Sequence, residues 1–594
     1  RSLLRRPIVL IAATGLVVGL LARAPIVFLV TLVVGGVPLV LQTLRGMLRG
    51  RFAADIVAML AIVTAFVLGQ YFAGVVIVLM QSGGEALEAY AMQRASSSLE
   101  ALLARAPKIA HRVQNNGFED VPVETVRVGD ILLVRPGDLI PVDAEVCEGG
   151  GTSTVDQSAL TGEPLPIRAV PGTGLLSGSV NIDGALRVRA LRVSDQSQYQ
   201  QIVKLVEKAR QEKPPIQRIA DRFAVWFTPL TLLMCGVAYA VTGSATSVLA
   251  VLVVATPCPL ILATPVAVIA GISRAADLGI IVKHGRAIEQ LGRARAVVFD
   301  KTGTLTLGQP RVAHVEGLDG AAAADVLRAA AAVEQFSSHH LGHAVVDAAR
   351  ERGLALSPVT EFRESPGSGV VGCVDNNQVV VGSARHLRER GISIRDTPED
   401  GTEAHVAVDG RVVGTIDFGD RLRHQVPALM QRLAVLGVSD TVMLTGDREA
   451  PAEAIAAQAG IRTVRANLLP ADKVTAVREL SRRYGNVLMV GDGINDAPAL
   501  AAATVGVAMG AHGTAISAEA ADVVLLVDDI ARLGDAMVIS RRMRRIALQS
   551  IGVGLGLSFA LMVIASLGHI TPAAGAVMQE ALDAAVILNA LRVR

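Results

Sequence analysis

The segment Asp300-Lys301-Thr302-Gly303-Thr304-Leu305-Thr306 sets a carboxylate at the end of an apolar run, Val297-Val298-Phe299, and follows it with a small, hydroxyl-rich loop. Open α/β sheets bind ligands at the carboxyl ends of their strands. A carboxylate there can attack a phosphoryl group and hold it as an acyl phosphate. Two later segments repeat the pattern. Val442-Met443-Leu444 leads into Thr445-Gly446-Asp447, and Val487-Leu488-Met489-Val490 leads into Gly491-Asp492-Gly493-Ile494-Asn495-Asp496. A parallel doubly wound sheet would bring these Asp-bearing loops to one edge.

A different chemistry sits in apolar sequence. Thr256-Pro257-Cys258-Pro259 interrupts a long hydrophobic run. Its prolines remove backbone donors and free carbonyls, an arrangement tolerated in a bilayer only where it lines a cavity or a site. A thiolate there is a soft ligand, which argues against Na⁺, K⁺ or Ca²⁺ and for a transition metal. Near the end of the chain, Gln579-Glu580-Ala581-Leu582-Asp583 carries acids inside another apolar run. Intramembrane acids default to function. Glu580 and Asp583 are three apart and share a helix face, with Gln579 on the flank. A thiolate, two carboxylates and an amide suit a borderline divalent ion such as Ni²⁺, Co²⁺, Fe²⁺ or Zn²⁺, and suit Cu⁺ poorly. Cys235 lacks such a setting and reads as packing.

These groups need a membrane and several soluble domains around them. The chain has 594 residues, too many for one core, and is 51% hydrophobic with only 19% charged residues. A net charge of +2 gives no support to a nucleic-acid partner. The four cysteines form no CxxC pair, so neither a disulfide framework nor a zinc ribbon is expected, and ion capture should rest on the membrane itself. Span-length apolar runs occur near 7–23, 25–44, 53–69, 71–90, 223–242, 246–273, 546–568 and 571–591, which predicts eight membrane helices. Arg1, Arg5, Arg6, Arg45, Arg49, Arg51, Arg541, Arg542, Arg544, Arg545, Arg592 and Arg594 flank one side of these runs, and the turns Gly69-Gln70, Thr242-Gly243-Ser244 and Gly568-His569 on the other side carry no Lys or Arg. Both termini and both large polar insertions are therefore cytoplasmic. Gly35-Gly36 and Pro38 in the second run predict a kink or break, or else ordinary helix-packing glycines.

The first insertion alternates Val and Ile with polar residues and turn signals, as in Val126-Arg127-Val128-Gly129-Asp130-Ile131, and reads as a small β-rich domain. It contains Asp156-Gln157-Ser158-Ala159-Leu160-Thr161-Gly162-Glu163-Pro164. The second insertion holds the Asp-bearing loops and, between the first two, a stretch with a helix-like Ala321–Ala330 and a Gly367-Ser368-Gly369 turn.

The heptad at Asp300, the Thr161-Gly162-Glu163 turn, the later Asp loops and the Thr-Pro-Cys span, in this order, resemble the heavy-metal (type IB) P-type ATPases, specifically their Thr-Pro-Cys/Gln-Glu-x-x-Asp branch. The resemblance implies a polytopic α-helical membrane domain with a cytoplasmic β-rich actuator domain, an α/β haloacid-dehalogenase-like phosphorylation domain and an inserted α+β nucleotide-binding domain. The implied boundaries are membrane helices at 1–95, actuator at 96–210, membrane helices at 211–275, phosphorylation domain at 276–311 and 421–540, nucleotide-binding domain at 312–420, and membrane helices at 541–594. Where similar phosphatases carry a general acid/base two residues after the nucleophile, this chain has Thr302, so a phosphoenzyme should persist.

By the same resemblance, Glu163, with Thr161 and Gly162, positions the water that hydrolyses the aspartyl phosphate. Asp300, Asp492 and the Thr302 carbonyl hold Mg²⁺, with Asp496 and Asn495 in support. Thr445 and Gly446, beside Asp447, bind the phosphoryl oxygens, and Lys473 neutralises them. Glu334, His339, Gly367 and Gly369 bind ATP, although His340 stands where the family has proline and Ser383 where it has asparagine. His339, His340 and His343 can also be read as a soluble metal site. Cys258, Glu580, Asp583 and Gln579 bind the transported ion, and Glu88 or Glu85 marks its access point. The expected activity is ATP-driven export of a divalent transition metal, best Ni²⁺, Fe²⁺ or Co²⁺. The alternatives are a Zn²⁺/Cd²⁺ or Cu⁺ exporter and, in another class, a non-transporting membrane phosphatase or metal sensor. The expected setting is a bacterial plasma membrane, with the bilayer as partner, a metal ion delivered by a chaperone or small-molecule carrier, and a monomer as the working form.

Overall fold

The computed structural model describes residues 6–48, 55–96, 107–114, 117–157, 166–197, 200, 215–255, 258–337, 339–365, 368–394, 403–493, 496–509 and 520–593. The chain divides into two compact units, one of Arg1–Arg295, Leu480–Leu488 and Leu500–Arg594, the other of Ala296–Glu479 and Met489–Ala499.

The first unit opens with α1 (Arg6–Ala22), α2 (Pro25–Leu48), α3 (Asp55–Val67) and α4 (Tyr71–Ala95). Their sequences are almost wholly apolar, and a helix satisfies its backbone groups internally, which a bilayer requires. The predicted break in α2 is absent. The helix runs through Pro38, and its glycines serve close packing instead: a Cβ on Gly35 would lie 2.9 Å from Val78, and one on Gly36 3.1 Å from Ile62. The β-rich insertion follows as β1 (Ile109–Gln114), β2 (Gly117–Pro122), β3 (Ile131–Val134), β4 (Ala144–Val146), β5 (Ser153–Asp156), β6 (Ile167–Ala169), β7 (Gly174–Leu175), β8 (Val180–Asn181) and β9 (Leu186–Ala190). A sheet of order β2-β1-β3-β9-β4-β7 and a small one of order β6-β5-β8 share a core of Leu132, Ile140, Val155, Leu186 and their neighbours. The segment holding Thr161, Gly162 and Glu163 lies in sequence between the antiparallel pair β5 and β6 and outside the described residues.

Next come α5 (Pro215–Thr242), α6 (Ala245–Val254) and α7 (Cys258–Ala276). The sixth apolar run is thus two helices, with the first ending at Val254 and the second opening at Cys258, as the Pro-Cys-Pro chemistry demands. Strand β10 (Ile280–Val282) and helix α8 (Gly285–Leu291) lead to the second unit.

The second unit begins with β11 (Ala296–Asp300), which is buried along its whole length. An antiparallel sheet follows, built from β12 (Thr306–Gly317), β13 (Val359–Ser365), β14 (Gly369–Val374), β15 (Asn377–Gly382), β16 (Glu403–Val408) and β17 (Arg411–Leu422), in the order β12-β17-β16-β15-β14-β13. Helices α9 (Ala323–Glu334) and α10 (His340–Glu351) share its core through Val326, Leu327, Ala330, Val333 and Val345. Helix α11 (Ala384–Glu389) follows β15. The outer bounds of this sheet, Thr306 and Leu422, lie a few residues beyond 312–420. After α12 (Val426–Val435), the strands β18 (Asp440–Leu444) and β19 (Thr463–Arg465) pair in parallel beside β11, with α13 (Glu449–Ala459) between them in sequence. Helix α14 (Pro470–Tyr484) and β20 (Val487–Gly491), the neighbour of β11 on its other side, complete the edge where the Asp loops emerge.

The chain returns to the first unit through α15 (Ala497–Ala502), β21 (Val505–Met509) and β22 (Val523–Leu525), which pairs with β10. It ends with α16 (Arg532–Ser566) and α17 (Pro572–Leu591). Among the described residues, four helices, α2, α4, α16 and α17, are long and apolar enough to cross a membrane, and shorter apolar helices occupy the other expected spans.

Candidate active site

Strand β11 delivers Asp300 into a cluster within the second unit. Lys473, in the first turn of α14, lies with Nζ 2.5 Å from Asp300 Oδ1 and 2.8 Å from Asp496 Oδ1. Burial, then the charge of Asp496, pushes the Asp300 carboxyl up to about 7 against the pull of Lys473, and Asp492 adds to the push. Burial alone would lower the Lys473 ammonium, but its pairs with Asp300 and Asp496 outweigh that and hold it above the usual lysine value. Asp492 packs over the loop: Gly303 has φ +71°, and a Cβ there would stand 3.1 Å from Asp492 Oδ2. Glycine is needed at this point for its conformation. Asp300 and Asp496 thus share one ammonium, and Asp492 adds a third carboxylate beside Asp300. This excess of hard oxygen donors fits Mg²⁺.

Thr445 is buried at the end of β18, and its Oγ1 accepts from the Asp447 N–H at 3.1 Å. Asp447 forms an ion pair with Lys301. Gly446 leaves its backbone close to Leu468, whose carbonyl would stand 3.3 Å from a Cβ. The side chain of Thr302 is exposed. Asn495 lies outside the described residues. Sequence reasoning gave no part to Lys301, nor to Arg423, whose Nη2 donates to the Gly303 carbonyl at 3.1 Å and braces the loop. Lys301 stood in plain view inside the heptad; nothing in the local sequence singles out Arg423.

A pocket of about 290 Å³ opens beside the antiparallel sheet, and Glu334, His339 and Gly369 all line it, as does Ser383. Gly367 lies outside the described residues. Glu334 ends α9 and is largely buried; burial first, and then the charge of Glu364, pushes its carboxyl up to about 7, against a hydrogen bond from Ser337. His339 caps α10, its Nδ1 accepting from the Leu341 N–H at 3.3 Å, and its ring stacks on His340 at 4.3 Å. The alternative reading of these histidines as a metal site gains no cluster of three ligands among the described residues. A Cβ on Gly369 would come within 2.3 Å of the Val381 carbonyl, and one on Gly342 within 2.4 Å of Glu334 Oε2. Gly342, Ser337 and Glu364 join the pocket only through the fold, and sequence reasoning missed them. Ser383 caps α11, accepting from the His386 N–H at 3.3 Å.

In the first unit, α17 presents a polar cluster. Gln579 and Asp583 are both buried, and Gln579 Nε2 donates to Asp583 Oδ1 at 3.1 Å. Ser558 on α16 bonds to Gln579 Oε1 at 3.4 Å. Gln579 and Asp583 thus form a hydrogen-bonded i,i+4 pair. Glu580 is half-buried, and its Oε2 is enclosed with no hydrogen-bond partner among the described residues. Cys258 opens α7, and Glu85 and Glu88 lie in α4; the side chains of all three are outside the described set.

Comparison with known proteins agrees with this architecture. Residues 104–207 match the P-type ATPase actuator domain, and residues 294–504 match the haloacid dehalogenase-like hydrolases. The silver exporting P-type ATPase of Salmonella typhimurium is 38% identical over 555 residues, covering 88% of this chain and 66% of that protein. This chain thus spans just under two thirds of that relative's length. A protein named Probable copper-exporting P-type ATPase V, of Mycobacterium tuberculosis (strain ATCC 25618 / H37Rv), is 38% identical over 570 residues, 91% of this chain and 73% of that one. A crystal structure of a zinc-transporting PIB-type ATPase in the E2.Pi state aligns over 100% of this chain and 99% of that chain, with 32% identity and a TM-score of 0.65. The chain belongs to the heavy-metal-transporting, type IB P-type ATPases. It is an integral membrane protein whose soluble domains are cytoplasmic.

Two outcomes follow from this geometry. Lys473→Met strands two buried carboxylates beside each other, so metal-stimulated ATP hydrolysis should fall by at least about a hundredfold while Lys473→Arg retains part of it; equal rates in Lys473→Met and the parent would remove Lys473 from the site. For Glu334, a ligand that donates to the carboxylate favours its ionised form. ATP affinity should therefore rise through about pH 7, by about tenfold per unit of pKa shift on binding. Calorimetry across pH 6–8 on Glu334→Gln should lose that slope.

Proposed function

We propose that this chain is an ATP-driven exporter of a divalent transition-metal ion, with the γ-phosphoryl of ATP transferred to Asp300. The observation that carries this reading is Lys473 bridging Asp300 and Asp496 at the edge of a buried parallel sheet. An ionised Asp300 is the nucleophile, and Lys473 offsets the charge of the incoming phosphoryl group. Thr445 and Gly446 receive its oxygens, and the Lys301–Asp447 pair steadies the neighbouring loop. Asp300, Asp492 and the Thr302 carbonyl would hold Mg²⁺, which supplies charge neutralisation when bound. Glu163, in the Thr161-Gly162-Glu163 turn, positions the water that later releases phosphate. Glu334, His339, Gly367 and Gly369 bind the nucleotide. The domains rearrange as rigid bodies, opening the ion site outward.

The ion site is assigned to Cys258, Glu580, Asp583 and Gln579, with Glu88 or Glu85 on the access path. Soft and hard donors together suit Ni²⁺, Fe²⁺ or Co²⁺. A Zn²⁺ exporter is the second reading, supported by the likeness to a zinc-transporting enzyme over the whole chain. Cu⁺ fits a carboxylate-rich set poorly, although silver and copper exporters stand among the relatives.

The test is ATP hydrolysis by the purified chain across Ni²⁺, Co²⁺, Fe²⁺, Zn²⁺, Cd²⁺ and Cu⁺, with Asp300→Asn as the inactive control. Stimulation by Ni²⁺, Fe²⁺ or Co²⁺, lost in Cys258→Ala and Asp583→Ala, is expected. Stimulation by Zn²⁺ and Cd²⁺ alone selects the second reading, and stimulation by Cu⁺ alone contradicts both.

A further inference from the structure

Helix α16 is longer than a bilayer is thick. Its 35 residues run for about 52 Å at about 1.5 Å each, against about 30 Å of hydrocarbon. The surplus lies at its start. There Ser540 Oγ donates to the Ile288 carbonyl and accepts from the Gly292 N–H at 2.7 Å, which ties these turns to α8 and its end. Arg541, Arg542, Arg544 and Arg545 follow at once, where the helix passes into its apolar stretch. Helix α17 ends beside them: Arg542 Nη2 donates to the Arg592 carbonyl at 2.7 Å.

These arginines lack acids. No Asp or Glu occurs between Asp535 and Glu580, or after Asp583. Elsewhere in the same unit Arg532 pairs with Asp529 and Asp535, and Arg274 with Asp277. Arg542, Arg544, Arg545 and Arg592 make no ion pair among the described residues. Their placement is nonetheless fixed. Arg592 Nη1 donates to Asn589 Oδ1 at 3.0 Å, and Asn589 Nδ2 donates to Ser550 Oγ on α16 at 2.9 Å. Each of Arg542 and Arg592 spends one N–H on these bonds, and a guanidinium carries a fork of donors that matches a phosphate.

Both helices continue from these arginines into exposed apolar stripes. On α16, Arg542 and Arg545 are followed on the same face by Leu548, Gly552, Val553 and Gly556. A Cβ on Gly552 or Gly556 would meet no atom within 4 Å, so the stripe has room for a packed chain. On α17, Arg592 is followed on one face by Leu588, Ala585 and Ala581. Positive charge above an apolar stripe is complementary to a lipid, with its phosphate at the surface and its acyl chains below. A second copy of the chain fits less well. Two copies crossing the bilayer in the same sense would set these arginines against their own counterparts.

We propose that Arg542, Arg545 and Arg592 form a binding site for the phosphate of an anionic phospholipid, seated where α16 and α17 meet the cytoplasmic surface. Such a lipid would neutralise charge that the protein leaves unpaired, and would clamp α16 to the helix that carries Gln579 and Asp583.

The test is native mass spectrometry of the full chain, released from neutral-detergent micelles holding equal amounts of phosphatidylglycerol and phosphatidylcholine. The parent should retain phosphatidylglycerol with at least about tenfold preference. Each of Arg542→Gln, Arg545→Gln and Arg592→Gln should lower that retention by about fivefold, and the triple variant should abolish the preference; the single variants carry the test if the triple does not fold. Removing the same charge from exposed arginines of the second unit, with Arg328→Gln, Arg350→Gln and Arg385→Gln together, should leave the preference intact. Inorganic phosphate in excess should not displace the lipid, because it has nothing to place on the apolar stripe. Equal retention of the two lipids by the parent, an unchanged preference in the glutamine variants at the site, or an equal loss in the second-unit variant would overturn the proposal. Displacement by inorganic phosphate would make the site a free-anion site and overturn its assignment to lipid. A mass of two chains that Gly552→Leu reduces to one would show a second copy on this face, and would overturn it too.

Discussion

A single ammonium sets the terms for the catalytic unit. Lys473 lies within hydrogen-bonding distance of both Asp300 and Asp496, and all three groups are largely or wholly removed from water. Two carboxylates so placed repel each other, and burial disfavours their charge. The lysine makes the arrangement tenable, yet it does not saturate it, since Asp492 contributes further negative charge to Asp300. The site is thus built with room for more positive charge. A dication and a phosphoryl group arriving together bring charges of both signs to a centre that already holds fixed partners for each. That is the electrostatic preorganisation on which phosphoryl transfer depends.

The same logic governs the other two polar sites, with different donors. The pocket beside the antiparallel sheet gathers carboxylates, with no cation among its described lining residues. In the membrane cluster, Gln579 donates its N–H to Asp583 and accepts from Ser558. In a region without water, that bond and the enclosed Glu580 oxygen mark α17 as a place where a cation has work to do. In the proposed function, labour divides accordingly, with energy stored at Asp300 and cargo chosen by residues on α7 and α17.

Much of this was legible in the sequence because the chemistry is local there. Asp300 and its loop are contiguous, and Pro257 and Pro259 announce the helix break between Val254 and Cys258. Other features were not legible, for physical reasons. For Gly35 and Gly36 the sequence left a kink or break and close packing both open, and the bulk of Val78 and Ile62 on neighbouring helices makes them packing positions. Glu580 and Asp583 share a helix face at three residues' spacing, with Gln579 on its flank. What that spacing did not show is the hydrogen bond from Gln579 to Asp583, two buried side chains one helical turn apart. Ser337, Gly342, Glu364 and Arg423 carry no local signal. They matter because a six-stranded sheet and two helices bring them to the pocket or the phosphorylation loop.

The most direct test of the central claim is the chemistry and metal dependence of the bond formed with ATP. Incubating the purified chain with γ-labelled ATP should yield a covalent phosphoenzyme that is stable in acid, cleaved by hydroxylamine as an acyl phosphate must be, dependent on the transported metal, and absent in Asp300→Asn. A label that resists hydroxylamine, or that persists when Asp300 is replaced, would contradict the account.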